Sequence, residues 1–173
     1  VEIYQGVSVG ADYLFESVAI ESVPDRPNGG WPGNMGEERA RLLRDLYAGW
    51  ANPSTGGVNG SESERDAIAS AFQLMVWEIT HENFDAVVAE DMVGQITFEF
   101  GAIQRQFDGS GQDVVGDYLT QMIVSLSDGP LQYAELVGWT EENAQDQSRY
   151  IPAPGVMMAL TGGLALSGRR RRS

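Results

Sequence analysis

The side chains that could do chemistry in this sequence are mostly carboxylates. The 173 residues include 25 aspartates and glutamates, one histidine and no cysteine, and all 11 basic residues are arginines. In the segment AFQLMVWEITHE, Glu78 and Glu82 lie one helical turn apart, and paired carboxylates can carry out glycoside hydrolysis. Surface acids are common in so acidic a chain, so the composition favours a non-enzymatic protein. An acidic carbohydrate-active enzyme is the weaker alternative.

Other catalytic or metal-binding groups are sparse. The absence of cysteine excludes disulfides, thiol catalysis and Cys-ligated metals. Asp108 and Asp113, in the stretch DGSGQD, are weak candidates for calcium ligands, because their spacing does not match the twelve-residue calcium loop. A helix-opening turn with Asp113 at the helix N-terminus is the simpler interpretation. His81 follows a predicted helix, where an imidazole can contact terminal carbonyls, so we expect a capping role and no cofactor.

The charge of the chain is unevenly distributed. Residues 1–153 contain all 25 acids and 7 of the arginines, and the remaining arginines form a run near the C-terminus. An acidic surface repels nucleic acid and anionic lipid. The composition therefore predicts no nucleic-acid partner and suits a solvated exterior protein.

The element expected to position most of these residues is a central helix over about residues 61–80. Its apolar residues recur at helical spacing, and the predicted core residues are Phe72, Met75, Val76 and Trp77. Ser61 followed by Glu64 predicts a capping box at its start. Gln73 lies among the apolar residues, so we expect a buried amide that bonds backbone groups inside the core.

The rest of the chain mixes strand and helix patterns. Helices are predicted over 37–50 and 113–129, and strands over 1–9, 14–23, 94–103, 131–139 and 145–151. The prediction is one α+β domain over residues 1–150. In it a β-sandwich or partial β-barrel packs with two or three helices. Residues 151–173 form a separate C-terminal segment with a short hydrophobic helix.

The C-terminal segment has the order of a sorting signal. It begins with a Pro-Ala-Pro motif, which is Pro152, Ala153 and Pro154. Residues 155–168 follow without a charge, and after them comes a run of four arginines, Arg169, Arg170, Arg171 and Arg172. The uncharged stretch is shorter than the roughly 20 residues of a stable membrane span, and a basic end should stay in the cytoplasm. This favours a processed segment with transient membrane contact.

This segment resembles the PEP-CTERM sorting signal of bacterial envelope proteins, which exosortase-type enzymes recognise and cleave. Ala153 stands where that family usually has glutamate, which implies a related variant of the processing enzyme. The resemblance implies export to the bacterial cell envelope or extracellular matrix. The chain begins at Val1 without an initiator methionine, so we also expect either a removed leader or an N-terminal fragment.

The globular part resembles the thioester-type domains of bacterial surface adhesins. In that family a cysteine on a strand and a glutamine on a later helix join as an internal thioester. Gln73 matches the glutamine and Trp77 the tryptophan that follows it, while Glu21 matches the acid after the cysteine. Ala19 stands at the cysteine position, so Ala19 and Gln73 form a degenerate pair without acylating activity.

The sequence therefore predicts a non-enzymatic adhesin or biofilm-matrix protein that binds non-covalently. The expected partners are an exosortase-type enzyme and extracellular polysaccharide or other surface proteins. The alternative is a self-assembling filament or surface-layer subunit, a homo-oligomer that retains its hydrophobic tail.

Overall fold

The computed structural model describes residues 16–23, 33–101, 103–107, 109, 111–140 and 147–150. Within them the chain forms four α-helices and two small antiparallel sheets, which confirms an α+β fold. The helices are α1 (Gly36–Trp50), α2 (Arg65–His81), α3 (Ala89–Val93) and α4 (Val114–Asp128). The strands are β1 (Glu16–Ala19), β2 (Ala51–Asn52), β3 (Gly57–Val58), β4 (Leu136–Thr140) and β5 (Gln147–Tyr150).

The three long helices all pack on one another, and the most extensive contact is between α2 and α4. Leu43, Leu46, Met75, Ile79 and Met122 are fully buried where these helices meet. All three helices were predicted from apolar residues at helical spacing, and the structure confirms them within a few residues.

The start of α2 differs in detail from the predicted capping box. The backbone N–H of Ser61 donates to Glu64 Oε2 at 3.2 Å, but the Ser61 hydroxyl also donates to that carboxylate. The Ser61 carbonyl accepts from the N–H groups of Glu64 and Arg65, so a turn precedes the helix. The regular helix therefore begins four residues later than the predicted cap.

The larger sheet joins the two ends of the described chain. Its order is β1-β4-β5, all antiparallel, with Val18 opposite Gly138 and Gly138 opposite Ser148. A Cβ at Gly138 would lie 2.7 Å from Cγ1 of Val23, so glycine allows this close approach. The predicted strands in 131–139 and 145–151 are confirmed as the shorter strands β4 and β5. The strand predicted over 14–23 is confirmed only for Glu16–Ala19, because Ile20–Ser22 form a turn of 3-10 helix that buries Ile20. The described sheets have three and two strands, and the sandwich or partial barrel stays a prediction.

The strand predicted over residues 94–103 is wrong for the described residues of that range. The chain forms α3 just before it and then bends without a partner strand. Ile96 is buried and Phe98 half-buried, but Phe100 is 66% exposed, so the alternation reflects a segment lying across the core. Gly101 has a φ of +103°, which breaks an extended run.

Several predictions fall outside the described residues. They concern the strand over 1–9, Asp108, and the whole C-terminal segment 151–173 with its sorting motif and hydrophobic helix. Among the described helices, none combines the length and apolar character needed to cross a membrane.

Candidate functional site

The two residues matched to the thioester pair both lie at the surface. Ala19 is exposed at the end of β1, opposite Val137 of β4, and Gln73 is exposed on α2. The buried amide expected for Gln73 is therefore not observed. The apolar residues of α2 cover one face, and Gln73 lies outside it because α1 and α4 do not enclose the helix all round.

The predicted core residues of α2 differ in burial. Met75 is fully buried, while Phe72 and Val76 are partly buried against the core. Phe72 meets the ring of Tyr47 edge-on, with the centroids 4.9 Å apart. Trp77 is half-buried, so this side of α2 is less covered than predicted.

Glu78 is the most unusual titratable group in the described structure. Its side chain is 0% exposed, although the sequence places it among many surface acids. Its Oε1 accepts from the backbone N–H of Thr97 at 3.3 Å, and the backbone N–H of Ile103 also donates to the carboxyl group. Its Oε2 is buried without a hydrogen-bond partner. Burial raises the pKa of Glu78 to about 7, and the nearby charge of Glu82 adds to this.

Glu82, the second carboxylate of the predicted pair, is half-buried just beyond the end of α2. Its Oε1 accepts from the backbone N–H of Asn83 at 3.0 Å, and its carboxylate lies directly against Gly101. A catalytic carboxyl group must touch its substrate, but Glu78 is covered by the segment that contains Thr97. The observed geometry is therefore that of a structural carboxyl group with a shifted pKa.

Arg39 binds carbonyl oxygens at the C-terminal end of α2, and the sequence analysis did not identify it. Arg39 is 7% exposed, and among its described contacts its guanidinium bonds only carbonyl oxygens. It donates to Met35 at 2.8 Å, Asn34 at 2.8 Å, Thr80 at 3.2 Å and Glu82 at 3.4 Å. A cation at a helix C-terminus is favourable, although burial lowers the pKa of Arg39. The available signal was its position one turn before the buried Leu43.

His81 is placed as a capping residue would be. It is the last residue of α2, and its Nδ1 lies 3.1 Å from the Trp77 carbonyl oxygen and 2.7 Å from Thr80 Oγ1. The ring thus contacts a terminal carbonyl of the helix.

Asp113, the described member of the weak calcium pair, is the N-cap of α4. It accepts from the Gly116 N–H at 2.8 Å, and both of its oxygens pair with Arg105, one of them at 2.7 Å. These contacts lower the pKa of Asp113, the Arg105 hydrogen bond most. The described residues hold no group of three or more metal-ligating side chains.

The described residues thus include two buried acids, Glu78 and Asp45, and a buried arginine, Arg39, while Ala19 and Gln73 are exposed. Asp45 accepts from the backbone N–H of Gln132 at 3.1 Å, and burial raises its pKa. Comparison of the chain with family models, with curated proteins and with solved structures gave no match.

Proposed function

We propose that the chain is an exported, non-enzymatic bacterial protein of the cell surface or extracellular matrix, delivered by its C-terminal sorting segment. The observation that carries the proposal is the order of that segment. A Pro-Ala-Pro motif precedes the uncharged residues 155–168, which precede the arginine run 169–172. A hydrophobic stretch ending in a basic cluster keeps its end in the cytoplasm and exposes the preceding motif to a processing enzyme.

The position of the described elements agrees with such processing. The last strand, β5, ends at Tyr150, just before Pro152. Cleavage near Pro152 would therefore leave all the described helices and strands intact. An exosortase-type enzyme is the proposed processing partner.

The domain before the signal is proposed to bind without covalent attachment. Its scaffold is that of a thioester-type adhesin domain, a sandwich or partial barrel, in which Ala19 replaces the reactive cysteine. The proposed ligands are extracellular polysaccharide or other surface proteins. Nucleic acid is disfavoured because residues 1–153 carry 25 acids against 7 arginines.

The sorting proposal is tested by replacing the arginine run 169–172 with serines in the full chain. The wild-type protein and the variant are expressed in a host with an exosortase-type enzyme, and cytoplasm, membrane and medium are probed separately. We expect the wild type in the envelope or medium, and the variant retained as an unprocessed chain. Equal processing of the two chains would contradict the proposal.

The scaffold proposal has its own test. If Ala19 and Gln73 occupy thioester positions, Ala19→Cys should restore the bond, and the purified variant should lose the mass of one ammonia. A matched double variant, Ala19→Cys with Gln73→Ala, should keep its full mass. A free thiol and full mass in the single variant would contradict the thioester-type scaffold while leaving the sorting proposal intact.

A further inference from the structure

A buried carboxyl group of α2 holds a segment that has no regular structure of its own. Glu78 accepts hydrogen bonds from the backbone N–H groups of Thr97 and Ile103, which lie six residues apart. Between them Phe100 is 66% exposed, and Gly101 has a φ of +103°. The described residues here form bends rather than a helix or strand, and the hydrogen bonds that hold them are few. They include the Glu78 contacts and one backbone bond from the Arg105 N–H to the Phe98 carbonyl at 2.9 Å.

The two protonation states of Glu78 differ strongly in this position. A neutral carboxyl group can still accept both backbone hydrogen bonds, and its unpartnered Oε2 then carries a hydroxyl. An ionised group places a charge on the same buried and unpartnered oxygen. The two amide hydrogen bonds favour the ionised form, but the cost of burying the charge is larger, so ionisation opposes the closed arrangement.

The surrounding charges do not offset this cost. On α2, Glu82 adds a like charge that disfavours the ionised form of Glu78. On α1, Arg39 bonds the carbonyls of Thr80 and Glu82. Within the segment, the side chain of Glu99 is exposed.

The arginine that follows the segment is also engaged elsewhere. Arg105 pairs with Asp113 at the start of α4. The charged groups described around Glu78 thus include no arginine bonded to its carboxyl group.

We infer that Glu78 is a pH-dependent latch, which in its protonated form holds the amides of Thr97 and Ile103 against α2 and on ionisation releases them. Release frees the segment that carries Phe98 and Phe100. Phe100 is already 66% exposed, so the aromatic side chain that release uncovers is Phe98, which packs partly buried against the core. The latch thereby couples the pH of the surrounding solution to the exposure of Phe98.

The size of the effect follows from the difference between the closed and released states. The pKa of Glu78 is about 7 in the closed state, against the ordinary glutamate value of 4.5 that applies once the group reaches water. By linkage, the opening equilibrium should rise roughly 70-fold between about pH 5 and about pH 8, mostly below about pH 7.

Amide hydrogen exchange followed by NMR tests the latch in the intact chain. Protection factors of Thr97 and Ile103, corrected for intrinsic exchange, are measured between about pH 5 and about pH 8. We expect both to fall roughly 70-fold in the wild type. Met122, in the middle of α4, should stay better protected at every pH if release is local.

Three variants make the test specific. Glu78→Gln keeps an accepting oxygen without a charge, so the protection factors of Thr97 and Ile103 should not fall with rising pH in this variant. Glu82→Gln removes the neighbouring charge and should move the midpoint of the fall in protection to lower pH. Glu99→Gln makes the same charge change on an exposed side chain and should behave as wild type. Protection that does not vary with pH in the wild type, or an unchanged fall in Glu78→Gln, would overturn the inference.

Discussion

Replacing Glu78 with glutamine should remove the pH dependence that this buried carboxyl group gives to the free energy of unfolding. The folded pKa of Glu78 is about 7, above the ordinary glutamate value of 4.5, because the carboxyl group is fully buried. A raised folded pKa means that the contribution to stability is present below about pH 4.5 and is lost as pH rises toward about pH 7. Between about pH 5 and about pH 8 the loss amounts to about 2.5 kcal/mol.

The assay is urea unfolding of the wild type and Glu78→Gln at about pH 5, 6, 7 and 8, followed by tryptophan fluorescence. The quantity of interest is the difference in unfolding free energy between the two proteins, because the other acids contribute equally to both. That difference should shift in favour of the variant by about 2.5 kcal/mol across the range. Glu99→Gln, with an exposed side chain, should show a nearly constant difference. A constant difference for Glu78→Gln as well would refute a buried carboxyl group with a raised pKa.

Three further substitutions test the described contacts by chemical unfolding. Arg39→Ala should lower the free energy of unfolding by about 3 kcal/mol, because it leaves buried carbonyl oxygens without a donor. Arg65→Ala, the control on an exposed residue, should lower it by under about 0.5 kcal/mol. Equal effects would contradict a structural role for Arg39. Asp113→Ala should lower the free energy of unfolding through the lost N-cap and Arg105 pair. Asp113→Asn should lower it less, since an amide oxygen can still cap, and an equal loss would show that the cap is not what matters. Met75→Ala should lower the free energy of unfolding by about 2–5 kcal/mol, because Met75 is fully buried. An unchanged free energy of unfolding would contradict the observed core.

The long helices were predictable because each must bury one face against the others. The spacing of Met75 and Ile79 on α2 reports that requirement directly, and both are fully buried. The same reasoning failed at Gln73, because periodicity shows which residues could be buried but not how far neighbouring helices extend around them. Gln73 is exposed where α2 is uncovered.

The strand predicted over 94–103 shows a second limit. Alternating apolar residues predict a strand only if a partner strand supplies hydrogen bonds, and that partner is a matter of tertiary structure. Here the carboxyl group of Glu78 binds the amides of Thr97 and Ile103 instead. Local sequence contains no signal for such a contact across nineteen or more residues.

The buried polar residues were the least predictable part of the candidate site. The spacing of Glu78 from Ala71 and Met75 places it on the apolar face of α2, but its hydrogen bonds depend on where the later segment crosses that helix. Arg39 likewise becomes significant only because the C-terminal end of α2 meets it, where it bonds the carbonyls of Thr80 and Glu82.

The central claim is that the chain is exported and processed at its C-terminal segment. The most direct test is the intact mass of the protein recovered from its native cell envelope and culture medium. We predict a chain that ends near Pro152 to Gly155, with or without an attached lipid. A mass that includes Arg169 to Ser173 would contradict processing and favour a subunit that retains its tail.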